Sequence, residues 1–192
     1  MEIIALSGYA RAGKDEAANV LVEEFGFKRI GFADKLRDVL YQINPLVAVW
    51  QDWDGEPGAV FAQTVIDRYG WTGYKETMYH GEIRRLLQRL GTEAGRETLW
   101  DSIWVDAAFA NLPDNAKVVI PDTRFINEAT AVKERGGDIW RIRRKDLGPV
   151  NRHISETELD DWAFDIILDN NSTLDSYKKK IRSAMRYRDL NS

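Results

Sequence analysis

Eight residues close to the start of the chain, Gly8-Tyr9-Ala10-Arg11-Ala12-Gly13-Lys14-Asp15, set two glycines five positions apart with a lysine directly after the second. Residues of these types at this spacing curl the backbone so that successive N–H groups point at one phosphate. The lysine adds a positive charge near the group being transferred. Gly8, Ala10, Arg11, Ala12, Gly13, Lys14 and Asp15 are therefore the nucleotide-binding candidates. Asp15 stands where such loops usually carry serine or threonine. Its carboxylate is a hard oxygen donor that suits Mg2+, directly or through water; it equally suits a helix start as a cap.

A cradle of this kind speaks for a nucleoside triphosphate and leaves the acceptor open. Other residues bear on that. Asp122 follows the apolar run Val118-Val119-Ile120-Pro121, and an acid at the tip of a strand beside such a loop is a second candidate for Mg2+. Arg124, two residues on, would point back over the phosphates. Arg37 stands one helical turn into the element after the second strand and could hold an acceptor phosphate. In Arg84-Arg85-Leu86-Leu87-Gln88-Arg89-Leu90-Gly91-Thr92, the leucines claim one helix face and turn Arg84 and Gln88 to other sides. Gln88 and Thr92 are four apart and share a surface if the helix continues. Gln and Thr can read a base edge, and Arg84 or the nearby Arg96 can clamp a phosphate. A solvated helix face explains the same spacing. Arg141, Arg143 and Arg144 leave the fourth strand for a polar loop that runs through Arg152-His153-Ile154-Ser155-Glu156. Such a loop, closing over a triphosphate, would exclude water, with Arg143 or Arg144 as the closing cation.

The elements that must position these groups are legible in the hydrophobic pattern. Glu2 to Ser7 is a nearly continuous apolar run, as in a strand buried on both faces. Ala18, Leu21, Val22 and Phe25 recur at helical spacing before Gly26, and Phe27 to Phe32 reads as a second strand. Leu36, Val39, Leu40 and Ile43 mark a helix that stops before Pro45. From Leu46 to His80 the chain is rich in aromatics and glycine; one helix near Val60 to Tyr69 with loops on either side is expected, an insertion and not a sheet element. Helices are expected at Glu82–Leu90 and Glu97–Ala110. Strands follow at Lys117–Pro121, Asp138–Ile142 and Phe164–Leu168, with a helix at Ala129–Lys133 and a last one capped by Ser172. Strands alternating with helices predict a three-layer α/β/α architecture around a five-stranded parallel sheet, which binds ligands beyond the carboxyl ends of its strands.

Composition sets outer bounds. The chain has 192 residues, 44% of them hydrophobic and 30% charged, enough for a buried core in one domain. Lys and Arg number 27 against 31 Asp and Glu, a net charge of −4, which argues against a globally basic nucleic-acid binder. With no cysteine, disulfides and thiolate metal sites are excluded. His80 and His153 alone cannot make a His-rich zinc centre. No apolar run approaches the ~20 residues of a membrane span, and Met1 leads into strand-like sequence with no leader pattern, so the expected location is the cytoplasm.

Four stretches together resemble the deoxynucleoside monophosphate kinases of tailed bacteriophages, within the P-loop nucleoside monophosphate kinase-like group: Leu6 to Asp15, Gly31 to Leu36, Arg84 to Thr92, and Asp122-Thr123-Arg124-Phe125-Ile126-Asn127-Glu128-Ala129. A weaker fifth is His153 to Glu156 with Asp165 and Asn170. The resemblance implies one P-loop kinase domain over 1–192, with a helical acceptor-binding insertion at about 46–96 and a lid at about 143–158. It implies transfer of the γ-phosphoryl of ATP, with Mg2+, to a deoxynucleoside monophosphate in the host cytoplasm. An ionised monophosphate needs no general base, so catalysis would be positioning and charge neutralisation. In this reading Lys14, Arg124 and Arg143 or Arg144 are catalytic, and Asp15 and Asp122 hold the metal. Arg37, Arg84, Gln88, Thr92, Arg96 and Arg124 bind the acceptor, with Trp71 or Tyr74 against the base or in the core. No stable nucleic-acid or membrane partner is expected, and a homodimer is left open. The rival readings are another small-molecule P-loop kinase, of dephospho-coenzyme A or phosphomevalonate type, and an ATP-dependent switch whose basic run Lys178-Lys179-Lys180-Ile181-Arg182 touches nucleic acid.

Overall fold

The computed structural model describes residues 1–51, 54–148 and 157–191; Trp53 and the predicted loop positions Arg152 to Glu156 lie outside them. In chain order the elements are β1 (Glu2–Ser7), α1 (Lys14–Phe25), β2 (Lys28–Arg29), α2 (Asp34–Ile43), β3 (Leu46–Gln51), β4 (Pro57–Phe61), α3 (Ala62–Gly73), α4 (His80–Gln88), α5 (Ile103–Phe109), β5 (Lys117–Ile120), α6 (Ile126–Glu134), β6 (Asp138–Arg143), β7 (Ile166–Asp169) and α7 (Leu174–Asn191). Two compact units divide the chain: Met1–Phe32 with Ala108–Ser192, and Ala33–Ala107.

The first unit is built on a five-stranded sheet of order β2-β5-β1-β6-β7, parallel throughout. β1 is central, with Ala5 opposite Ile120 on one side and Leu6 opposite Trp140 on the other. Because side chains alternate along a strand, Ile4 and Leu6 enter one core with Ala17, Leu21, Tyr177, Ile181 and Met185 of α1 and α7. Ile3 faces the other way, toward Val132 of α6, where Gly137 lets both approach. This is the three-layer α/β/α fold. β2 is much shorter than predicted: Ile30 N–H still reaches the Val119 carbonyl at 3.1 Å, but the Phe32 N–H turns to the Asp122 carboxylate at 3.2 Å and ends the ladder. The cap of α7 is Thr173, not Ser172; its hydroxyl accepts the Ser176 N–H at 3.3 Å.

The second unit departs from expectation in two places. Leu46–Gln51 and Pro57–Phe61 form an antiparallel hairpin, so this segment is not helix and loop alone. The run Leu46-Val47-Ala48-Val49-Trp50 is strand-forming by its branched and aromatic side chains, and Gly58 opposite Trp50 leaves the indole room to lie across the pair. Val47 joins Leu40, Val65, Ile66, Tyr74 and Ile83 in a separate core. The predicted helix at Glu97–Ala110 begins only at Ile103, because Arg89–Glu97 continues α4 as a π-helical stretch. Trp104 packs into this stretch: its indole N–H donates to the Gly91 carbonyl at 2.8 Å, and its ring lies where a side chain at Gly95 would stand. No helix among the described residues is long and apolar enough to cross a membrane.

Candidate active site

In the sheet unit the glycine loop leaves the carboxyl end of β1 and enters α1 directly. Gly8 has φ 141° and Gly13 φ 110°, backbone that side-chain-bearing residues rarely adopt. A Cβ at Gly8 would fall 2.3 Å from the Ile142 carbonyl oxygen, and one at Gly13 would fall 2.5 Å from Nδ2 of Asn170. The loop's outer carbonyls are tied down from neighbouring elements. Asn170 Nδ2 donates to the Ala12 carbonyl at 2.8 Å, the Tyr177 hydroxyl to that of Gly13 at 3.1 Å, and Arg144 Nη1 to that of Arg11 at 3.5 Å. The Ala12 N–H donates within the loop to the Tyr9 carbonyl at 3.2 Å, and the α1 N-terminus with the other loop amides suits an anion. Lys14 folds back along the loop, its Nζ donating to the carbonyls of Gly8 at 2.5 Å and Tyr9 at 3.0 Å. Ala10 and Ala12 complete the turn, Ala12 buried.

Asp15 is the second residue of α1, and its largely exposed carboxylate pairs with Arg29. Gly13, not Asp15, occupies the cap position, and no side chain caps α1, so the capping alternative for Asp15 does not hold. Asp122 stands beyond β5 with one oxygen on the Phe32 N–H. Arg124 is held from behind by Glu128, a buried residue whose Oε2 accepts the N–H of Arg124 at 2.8 Å and of Phe125 at 3.2 Å.

The arginines of β6 divide differently from the sequence reading. Arg143 is paired bidentately with Asp169 of the next strand, at 2.9 and 3.2 Å. Arg144 braces the glycine loop. Arg141 is the one that turns toward the loop, buried beside Ser7. The sequence reading gave no role to Tyr177, placed Glu128 and Asn170 only within resembling stretches, and favoured Arg143 or Arg144 over Arg141. The structure sets all four against the glycine loop or Arg124. Glu128 had a signal, lying three residues into a helix start. Tyr177 reads only as apolar helix face; burial, with Glu16 nearby, pushes its hydroxyl pKa well above the usual tyrosine value.

In the helical unit, Arg37 and Arg84 both bring positive charge to the buried Tyr74, whose pKa burial raises and the two arginines lower. Arg37 also pairs with Asp34 at 3.0 Å. Gln88 and Thr92 are exposed on α4 and its π-helical continuation, and Arg96 is half-buried near that stretch's end. Tyr74 packs edge-on against Trp71 and His80 in the core. Tyr74 is therefore a core residue, and Trp71 is half-buried against it.

A phosphate-cradling loop between strand and helix at the carboxyl edge of a parallel sheet, with an acid ending the neighbouring strand, defines a P-loop protein of the kinase class. The sequence model of the deoxynucleotide monophosphate kinase family matches residues 64–181. A protein of Acanthamoeba polyphaga mimivirus bearing the deoxynucleotide monophosphate kinase name is 30% identical over 205 residues, covering 96% of each chain. The deoxynucleotide monophosphate kinase of Escherichia phage RB69 is 21% identical, over 97% of this chain and all of that one. Among solved structures, shikimate kinase from Aquifex aeolicus aligns with a TM-score of 0.45 at 10% identity over 99% of both chains. APS kinase of Mycobacterium tuberculosis gives 0.39 at 13% over 96% of both. The chain belongs to the deoxynucleotide monophosphate kinase family. The family match begins beyond the glycine loop, so the loop's reading stands on this chain's own residues.

Proposed function

We propose that the chain transfers the γ-phosphoryl group of ATP to a deoxynucleoside monophosphate, yielding a deoxynucleoside diphosphate and ADP for DNA precursor synthesis. The observation that carries this reading is the glycine loop, braced from outside through three successive carbonyls in a chain of this family. Lys14 and the loop amides bind the β- and γ-phosphates, and Lys14 exchanges its carbonyl contacts for phosphoryl oxygens. Arg124, its backbone fixed by Glu128, neutralises charge as the phosphoryl group passes. Arg37, Arg84 and Arg96 hold the acceptor's phosphate, with Gln88 and Thr92 toward its base. Because an ionised monophosphate is already nucleophilic, positioning and charge neutralisation do the work without a proton acceptor.

Mg2+ would be held by Asp15, exchanging its contact with Arg29, and by Asp122. Among the described residues no cluster of three or more acids or histidines forms a protein-only cage. Two carboxylates, Asp15 and Asp122, suit an ion that takes most of its shell from water and phosphate. When bound, it would neutralise triphosphate charge. Less favours the nucleic-acid reading: of its basic run, Lys178 pairs with Glu16, Arg182 with Glu24, and Lys180 donates to the Asp169 carbonyl.

The deciding experiment follows ADP formation with ATP·Mg2+ across the four common deoxynucleoside monophosphates and hydroxymethylated dCMP. ADP that forms only when one of these is added supports the reading. Hydrolysis that ignores all of them and rises with DNA overturns it.

A further inference from the structure

Beside the glycine loop in the sheet unit lies a small polar recess of about 10 Å³, room for a single oxygen. Ser7, Thr123, Arg124 and Arg141 line it with Gly8, Ala10 and the apolar Leu159. Two observations point to what it holds. Thr123 is 2% exposed, and its hydroxyl has no hydrogen-bond partner; a buried polar atom left unpaired calls for an explanation. Arg141 is a buried cation from the middle of β6, directly opposite Ser7 in the ladder. Its guanidinium lies over the Tyr9 ring at 4.9 Å and the Phe164 ring at 5.3 Å. Nη2 donates to Asp160 Oδ1 at 2.5 Å and Nη1 to Ser7 Oγ at 3.3 Å, which uses two of the five N–H donors of a guanidinium. The other oxygen of Asp160 accepts the Tyr9 hydroxyl at 2.8 Å, so one carboxylate fixes both the arginine and a residue of the glycine loop.

The recess therefore presents hydroxyls and guanidinium groups to a space one oxygen wide. Such a set of donors fits an oxygen that carries negative charge. We propose that Thr123, Ser7 and Arg141 bind one phosphoryl oxygen of the nucleotides at the cradle, and that Asp160 is a positioning residue that aims Arg141. The inference rests on the phosphoryl-transfer reading above and assigns within it a contact that the glycine loop does not make. The oxygen comes from the γ-phosphoryl group or from the acceptor's phosphate.

Thr123→Val is the sharpest probe, since it keeps the shape and removes only the hydroxyl. Because the hydroxyl is unpaired, the ligand-free variant melts at the same temperature or higher. Its binding by calorimetry is measured with the non-hydrolysable analogue AMP-PNP·Mg2+ and, separately, with the best acceptor monophosphate. A loss of about tenfold confined to AMP-PNP assigns the γ-phosphoryl oxygen, and the same loss confined to the monophosphate assigns the acceptor's. Unchanged affinity for both overturns the proposal. Asp160→Asn tests positioning: it weakens the same ligand as Thr123→Val in the parent chain and has no further effect beside Arg141→Gln. An equal loss in both backgrounds removes Asp160 from the proposal. Wild-type chain that binds AMP-PNP through Thr123 yet phosphorylates no deoxynucleoside monophosphate overturns the proposed reaction and leaves the oxygen pocket standing.

Discussion

In the proposed reaction, the cradle of the sheet unit and the arginine-bearing helices of the second unit would handle negative charge by opposite means. In the cradle the donors are main-chain amides whose direction is set by strand and helix and locked by Asn170, Tyr177 and Arg144 on the outer carbonyls. The helical unit offers side chains: Arg84, Gln88 and Thr92 are exposed, and Arg37 is paired with Asp34 in its own helix. Backbone donors cost little to reorganise and serve any phosphate. Long side chains must be ordered on binding, and their identity can discriminate one acceptor from another. The difference teaches that damage to the first region should reach folding and all turnover, whereas damage to the second should reach only the use of the acceptor.

The largest test is Lys14→Ala, which should lower kcat by about 10³-fold with every acceptor, read from ADP release at saturating substrates. Gly8→Ala forces a Cβ against the Ile142 carbonyl at a φ of 141°. It should cost about 3 kcal/mol, measured by denaturant unfolding, and stability close to wild type would break the claim that this loop is locked by backbone. Arg84→Ala should raise KM for the monophosphate about tenfold and leave KM for ATP unchanged; equal losses for both would erase the contrast between the regions. Tyr177→Phe removes one brace and should cost about 1 kcal/mol at neutral pH. Burial holds that hydroxyl's pKa above its usual value, so the folded chain keeps the proton after the unfolded chain begins to lose it near pH ~10. Stability should therefore fall as pH rises beyond that point, and the phenylalanine variant should lack this component of the slope. Arg143→Ala, which breaks an exposed pair with Asp169, should change stability by less than about 1 kcal/mol, followed by thermal melting.

The glycine loop and the five strands were legible because their signals are local. Two glycines and a lysine at fixed spacing, and apolar runs bounded by turn residues, specify their own backbone. The hairpin at Leu46–Phe61 was misread because aromatics and glycine in a short span suit a loop as well as a strand pair. The branched and aromatic run Leu46-Val47-Ala48-Val49-Trp50 carries a strand signal, and the packing of Trp50 over Gly58 completes the pair. The π-helical stretch after α4 has no local periodicity signal, and its contact with Trp104 comes from thirteen residues beyond the carbonyl that the indole binds.

The chain's own order of residues determined which stretches become the sheet's strands and where the phosphate loop falls, because those signals lie within a few positions. The strand order, with β1 central, comes from pairings between distant stretches. The tertiary structure decided which cations serve which partner. Arg141, Arg143 and Arg144 are close in sequence, yet one is buried beside Ser7, one is tied to Asp169 and one braces Arg11. Their partners lie between 19 and 134 residues away, and no local pattern encodes contacts at that range.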